Sequence, residues 1–230
     1  MTDLELLAPA KNIEIGIAAI DCGADAVYIA GPAFGARQAA GNSMDDLAAL
    51  CNYAHKFGAR VFMTLNTILF DDELDEAYSL MCQADDAGID AIIVQDLSVM
   101  RMADGGPDGN GRRIGIPLHA STQCAIRDSE KALFYKQLGF SRLVLERELS
   151  LQDIRKIREA TGCEIEFFIH GALCVCYSGQ CYMSECISGR SANRGECIQA
   201  CRSLYNLVDS STGKGLVRNK ALLSVKDYNL

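Results

Sequence analysis

The sequence predicts an α/β chain, a (β/α) TIM-like barrel of about seven βα units, incomplete, with a Cys-rich C-terminal excursion. Three observations carry that expectation. Helical stretches end in a glycine, and a short apolar run follows each within two or three residues. Seven strand starts recur at the spacing of one βα unit, as a parallel sheet requires. No G-x-G-x-x-G follows any of them, so a doubly wound open sheet is the alternative and not the first choice.

In chain order, Leu4-Glu-Leu-Leu7 opens the first strand. Cys22-Gly23-Ala24-Asp25 leads into the second at Ala26-Val27-Tyr28-Ile29, and Phe57-Gly58-Ala59 into the third at 60–65. Ala87-Gly88-Ile89-Asp90 precedes the fourth at 91–94, and Leu118-His-Ala-Ser121 is the fifth. Leu138-Gly139-Phe140-Ser141 precedes the sixth at 142–145, and the seventh covers 164–169. Glycine suits the left-handed residue that stops a helix, and continuous apolar runs suit strands covered on both faces. Ser43-Met-Asp-Asp-Leu47 places a cap before an apolar face at Leu47, Leu50, Cys51 and Ala54. Residues 71–87 and 150–160 show similar caps and helical spacing.

The expected division is barrel units over 1–173 and a cysteine segment with a β-hairpin over 174–230, the eighth barrel unit lying past Leu230 as in a longer protein. The hairpin is placed at 204–208 and 221–225 around the turn Ser210-Ser-Thr-Gly-Lys-Gly215. The Gly-rich run from Asp104 to Arg113 reads as a flexible surface excursion.

With 230 residues, 49% hydrophobic and 23% charged, the chain has the composition of a soluble globular protein with one large core. No apolar stretch reaches the roughly 20 residues that span a bilayer. The start carries neither a basic region nor a long apolar one, so no leader and no membrane partner is expected. The expected compartment is cytoplasmic, where clustered cysteines point to metal or redox chemistry more than to disulfides. A net charge of −8 argues against a surface that grips nucleic acid everywhere. Residues 187–230 nevertheless carry +4, leaving −12 on the first 186. That basic end is either a solvated tail or a face for phosphate or carboxylate.

In a barrel the chemistry sits at the C-terminal ends of the strands. Those ends present Pro9 and Lys11, Gly31, Asn66, Gln95-Asp96, then His119, Ser121 and Gln123, then Glu146-Arg147-Glu148, then His170 followed by Cys174. Glu146 and Arg147 could simply pair with each other, and either histidine could satisfy a core carbonyl. His55 reads as surface. Cys22, Cys51, Cys82, Cys124 and Cys163 read as small buried hydrophobes.

Six of the eleven cysteines fall between Cys174 and Cys201. The spacing Cys174-x6-Cys181-x15-Cys197-x3-Cys201 has no C-x-x-C pair, which zinc ribbons normally carry. An iron–sulfur cluster, a structural zinc, and reduced thiols or a redox disulfide all remain open on spacing alone.

The run His170-Gly-Ala-Leu-Cys174…Tyr177-Ser-Gly-Gln-Cys181…Asn193-Arg-Gly-Glu-Cys197-Ile-Gln-Ala-Cys201-Arg202 resembles the signature of the collagenase-like peptidase family of unknown catalytic type, number thirty-two in that class. Glu5-Leu-Leu-Ala-Pro-Ala10, Gly23-Ala-Asp-Ala-Val-Tyr28, Asn66-Thr67, Gln95-Asp96 and Leu222-Leu-Ser-Val-Lys-Asp227 resemble it too. The resemblance implies oxygen-independent hydroxylation, of a pyrimidine of tRNA or rRNA with prephenate as a linked carboxylate co-substrate, or of the ubiquinone ring. It implies a 4Fe-4S cluster on Cys174, Cys181, Cys197 and Cys201, with Cys176 and Cys186 outside the set. Some relatives take the fourth ligand from a cysteine after the Lys-Asp pair. Here Tyr228 and Asn229 follow Asp227, so Cys201 is the choice.

On that footing His119, Glu146 and His170 are the expected proton-moving residues. Asn66, Gln95, Arg147, Arg194 and Arg202 are the expected substrate-binding residues, the arginines by fork-like pairing with carboxylate or phosphate. A peptidase using a Cys174–His170 pair, as the family name implies, and a zinc-stabilised scaffold are the alternatives. No G-x-S-x-G or H-E-x-x-H supports the peptidase reading. An oligomer or a further C-terminal domain completes the expected partners.

Overall fold

The apolar runs become strands of one parallel sheet. The structure, a computed structural model, describes residues 4–36, 41–171 and 174–224. The strands are β1 (Leu7–Ala10), β2 (Ala26–Ala30), β3 (Arg60–Leu65), β4 (Ala91–Val94), β5 (Leu118–Ala120), β6 (Arg142–Val144) and β7 (Glu164–Glu166). They pair in that same order, every pair parallel. Helices α1 (Ile13–Asp21), α2 (Met44–Ala54), α3 (Leu74–Asp86), α4 (Ser98–Ala103), α5 (Ser129–Gln137) and α6 (Leu151–Thr161) alternate with them. The sheet curls into a TIM-like half-barrel, so far that Glu5, ahead of β1, meets Arg142 of β6 at 2.5 Å. Among the described residues no strand fills the interval between β7 and β1.

Local signals set the helix limits. Asn12, Asp128 and Ser150 each accept a backbone N–H of the first turn, and Ser43 with Asp46 closes a full capping box. Gly58 turns left-handed at φ 71°, and the other helix-stopping glycines, Gly23, Gly88 and Gly139, also take positive φ.

Alternation along the strands splits the core in two. One set, including Val27, Ile29, Val61, Met63, Leu65, Ile92 and Val94, packs outward against Leu47, Leu50, Leu80 and Met81 of the helices. The other, Ala26, Phe62, Ala91 and Ile93 with Leu7 and Tyr28, fills the inside. Gly16 of α1 lets α1 and α2 approach closely. A methyl there would stand 2.9 Å from both methyls of the fully buried Leu50 of α2. Gly16→Ala is therefore expected to lower stability by about 1 kcal/mol. Overpacking outweighs the gain in helix propensity, and urea denaturation measures the balance.

An ionic plug closes the N-terminal end of the barrel. Glu5 pairs with Arg60 of β3 and with Arg142, whose guanidinium also binds Glu164 at 2.7 Å and lies 3.6 Å from Glu166. Arg60 and Arg142 both lie over the Phe62 ring. Burial pushes the Glu166 carboxyl up to about 7, with Arg142 opposing, while Arg142 holds Glu164 below its usual range.

Several boundaries depart from the sequence expectation. The first strand begins at Leu7, not Leu4, because Leu4 and Leu6 are exposed ahead of it. The seventh ends at Glu166, since the chain breaks from the sheet before the cysteines. In the tail, β8 (Tyr205–Val208) pairs antiparallel with β9 (Gly215–Lys220). The return strand thus follows the turn directly, and Ala221 to Ser224 lie beyond it, while Val225 falls outside the described residues. A helix, α7 (Met183–Ser188), sits unexpectedly inside the cysteine run.

The loop at 104–113 is tied down where a flexible excursion was expected. Gly105 and Gly106 are buried, the Tyr78 hydroxyl donates to the Arg112 carbonyl, and Arg112 pairs with Asp85 and Asp86. Among the scattered cysteines Cys51 and Cys124 are buried, but Cys22 is exposed. His55 is exposed as expected and meets Asp90 at 3.0 Å.

Candidate active site at the barrel rim

Beyond β7 the thiol-bearing segment lies across the C-terminal ends of the strands, held by side-chain contacts. Arg194 pairs with Glu73, donates to the Ile68 carbonyl at 2.5 Å and lies 4.0 Å from the Phe70 ring centre. The Arg127 guanidinium stacks 3.8 Å from the centre of the Tyr177 ring, and Arg147 stacks 4.1 Å from that of Phe168. Gly179, at φ +73°, rests so closely on Gln123 that any side chain would run into its carbonyl oxygen.

Beneath that segment the strand ends supply polar groups. Glu146, just past β6, is 1% exposed, and neither carboxyl oxygen makes a well-formed hydrogen bond, although the Ser178 backbone N–H lies close enough to act on it. Its nearest cation is Arg127, at 3.6 Å. Burial, with Glu148 adding repulsion, raises the Glu146 carboxyl above the usual carboxylate range, and Arg127 only partly offsets it. A buried carboxyl raised in this way is a candidate proton donor or acceptor.

Asn66 is buried and bridges two loops, donating to Ser121 Oγ and accepting from the Ala36 N–H. Asp96 binds the Leu69 and Ser98 amides. Gln95 donates to the Gln123 carbonyl at 3.3 Å, and its own Oε1 is buried without a partner.

Cys174 feels the charges of Cys197 and Cys201, but among the described residues the thiols do not converge on one point. Burial lifts the Cys174 thiol above its usual range although the residue is exposed as a whole, and Arg147 opposes that lift while Cys197, Glu148 and Cys201 add to it. Cys197 Sγ accepts the Gln199 N–H at 3.4 Å and lies 3.9 Å from the Ser184 hydroxyl. Gln199 is one of the few non-glycine residues at positive φ, 55°, a strained conformation that aims this amide at sulfur. Cys181 contacts Cys176 instead, and its N–H is held by Asn193. Among the described residues no three His, Cys, Asp or Glu side chains stand close enough to share one ion. The donor set is soft sulfur with an N–H aimed at one thiol, which suits iron–sulfur or zinc and not a hard cation.

The remaining expected residues are dispersed. His119 lies mid-strand on β5, 4% exposed, edge-on to Phe62 inside the barrel and beneath the rim. Burial, reinforced by Arg142, pushes its imidazole down to about 3, so it is neutral at physiological pH. His170 is exposed past β7. Arg202 donates to Ser224 Oγ at 2.9 Å, and Lys226-Asp227 lie outside the described residues. Sequence reasoning passed over Arg127, and it named Tyr177 and Gly179 only as part of the family signature, with no role. Reading past Gln123 along the loop after β5 would have reached Arg127.

A parallel barrel with a thiol segment folded over its rim defines the class as an α/β-barrel protein with a sulfur-rich mouth. Residues 11–230 match the family described as Peptidase family U32, and the chain belongs to that family. It is 54% identical over 224 residues to the 23S rRNA 5-hydroxycytidine C2501 synthase of Escherichia coli, covering 97% of this chain and 33% of that protein. It is 37% identical over 206 residues to the tRNA hydroxylation protein P1 of Bacillus subtilis, covering 88% and 47%. A solved U32 peptidase shares the fold at TM-score 0.60 and 14% identity, covering 75% of this chain and 71% of that one. The chain thus spans a third to about half of the length of these two curated relatives.

Proposed function

We propose that this chain is the barrel part of an enzyme that hydroxylates a pyrimidine of tRNA or rRNA without molecular oxygen. The observation that carries the reading is the 54% identity, over 97% of the chain, to an rRNA cytidine-hydroxylating protein. Cys174, Cys181, Cys197 and Cys201 would hold a 4Fe-4S cluster at the rim. The amide directed at Cys197 Sγ and the concentration of six thiols in one segment support that assignment. Such a group supplies electron transfer, at a potential tuned by burial and by hydrogen bonds to sulfur.

The protein's own residues have separate tasks. Glu146 holds a proton in a dry position beside the rim. Arg147, beside Cys174, offers a planar cation to a small carboxylate co-substrate such as prephenate. Arg127, stacked on Tyr177, partly offsets the burial of Glu146 and orders the loop above it. Arg194 and Arg202 instead fasten the thiol segment and the tail.

Serine at each of the four cysteines is expected to abolish the visible thiolate-to-iron absorption of anaerobically purified protein. In cells, the same variants should lose the hydroxylated nucleoside measured by RNA mass spectrometry. Colourless wild-type protein carrying about one zinc per chain would replace this reading with the scaffold one.

A further inference from the structure

Two of the clustered thiols, Cys176 and Cys186, stand outside the set assigned to the cluster. Cys186 is exposed on α7, whereas Cys176 is folded back on a neighbour. The residues between Cys176 and Cys181 make a tight turn, the Gln180 N–H donating to the Tyr177 carbonyl at 3.1 Å and Gly179 taking φ 73°. That turn brings the Cys176 thiol onto the Gln180 carbonyl, at 3.3 Å, and into contact with the Cys181 thiol. From the other side the buried Asn193 accepts the Cys181 N–H at 3.2 Å and fixes that end of the turn. Neither cysteine is buried, so a small oxidant can reach both.

Two thiols already in contact across a short turn close a disulfide with little backbone movement. A sulfur in a disulfide is no longer a thiolate, and it is the thiolate that binds metal. Cys181 therefore cannot serve iron and Cys176 at once. Cys197 is occupied differently, since its sulfur accepts the Gln199 N–H and lies beside the Ser184 hydroxyl.

We propose that Cys176 and Cys181 form a reversible disulfide that withdraws Cys181 from the cluster, so that the rim takes up metal fully only while this pair is reduced. The inference rests on the assignment of Cys181 as a ligand and adds its regulation. The oxidant is a peroxide. One thiolate attacks a peroxide oxygen and breaks the O–O bond, leaving a sulfenic acid and, with the thiol's own proton, water. The second thiol attacks that sulfur and expels a second water as the S–S bond forms. The pair thus gives up two electrons and two protons, and hydrogen peroxide becomes two waters. A dithiol reverses the step through a mixed disulfide, returning the electrons and protons and itself becoming a disulfide.

The test starts from metal-free, fully reduced protein of the whole chain, treated with an equimolar dose of hydrogen peroxide under argon. Alkylation of the remaining thiols and peptide mass spectrometry should then find Cys176 linked to Cys181, and dithiothreitol should remove the link. Cobalt(II), offered alone, reports the thiolates through its charge-transfer absorption, and the oxidised protein should bind it about tenfold more weakly than the reduced protein. Cys176→Ser should bind cobalt as the reduced wild type does, before and after the same dose. The peptide map needs no variant and so does not depend on the folding of one. A different pairing, no pairing, or equal cobalt affinity in the oxidised and reduced wild type overturns the inference. So does a Cys176→Ser protein that has lost cobalt binding while reduced, since Cys176 would then be a ligand itself. The cluster reading is judged separately, by the visible absorption of anaerobically purified wild type and Cys181→Ser.

Discussion

Alanine at Arg142 is expected to cost the fold about 3–5 kcal/mol, seen as a lower urea midpoint at unchanged slope. The side chain is 8% exposed and is shared by Glu5, Glu164 and Glu166. Removing it leaves three carboxyl groups gathered at the closed end of the barrel with Arg60 alone among the described residues paired against them, and it strips one cation from the Phe62 ring. A loss under about 1 kcal/mol would mean that the plug is mere surface pairing.

The same plug gives stability a pH dependence. The Glu166 carboxyl is raised in the folded state, to about 7 from an ordinary 4.5. The unfolded chain therefore loses this proton first as pH rises, so the folded state binds more protons between those values. The contribution is whole below about 4.5 and disappears as pH passes about 7. Stability should fall across that window, and Glu166→Gln should flatten the profile. Glu164 works the other way: its lowered carboxyl contributes above the ordinary range and is lost on acidification.

On the proposed function, alanine at Gly179 is expected to reduce RNA hydroxylation by about a hundredfold while leaving the thermal transition of the barrel nearly unmoved. Two causes add. The backbone sits at φ +73°, which L side chains rarely adopt, and the new methyl would collide with the Gln123 carbonyl oxygen. The loop between Cys176 and Cys181 must then rise from the rim, taking Tyr177 off Arg127. The collapse of activity should come with a changed visible spectrum. Full activity in Gly179→Ala would show that the segment need not seat on Gln123 at all.

The interior strands were legible because a parallel strand covered on both faces is written as an unbroken apolar run, as in Ala91-Ile-Ile-Val94. Edges were not. Leu4 and Leu6 look like strand residues yet are exposed, and β7, Glu-Ile-Glu, has little apolar signal of its own. In the tail, Ala221-Leu-Leu drew the second hairpin strand away from Gly215–Lys220, although tight-turn geometry favours the nearer segment.

For the site, strand ends located the rim, since Asn66, Gln95 and Glu146 all stand there. Position could not disclose partners. Arg194 meets Glu73 from 121 residues away, and no local pattern announces that pair. Nor could it separate levels within one strand: His119 and Ser121 are two residues apart, but one packs on Phe62 and the other meets Asn66 near the mouth.

Because the sulfur-bearing lid is fastened by a handful of side chains and belongs to no ladder of the sheet, its detachment is a local event with its own free energy, separate from global unfolding. On the proposed function, metal delivery and RNA entry would both pass through that step while the body beneath stays folded.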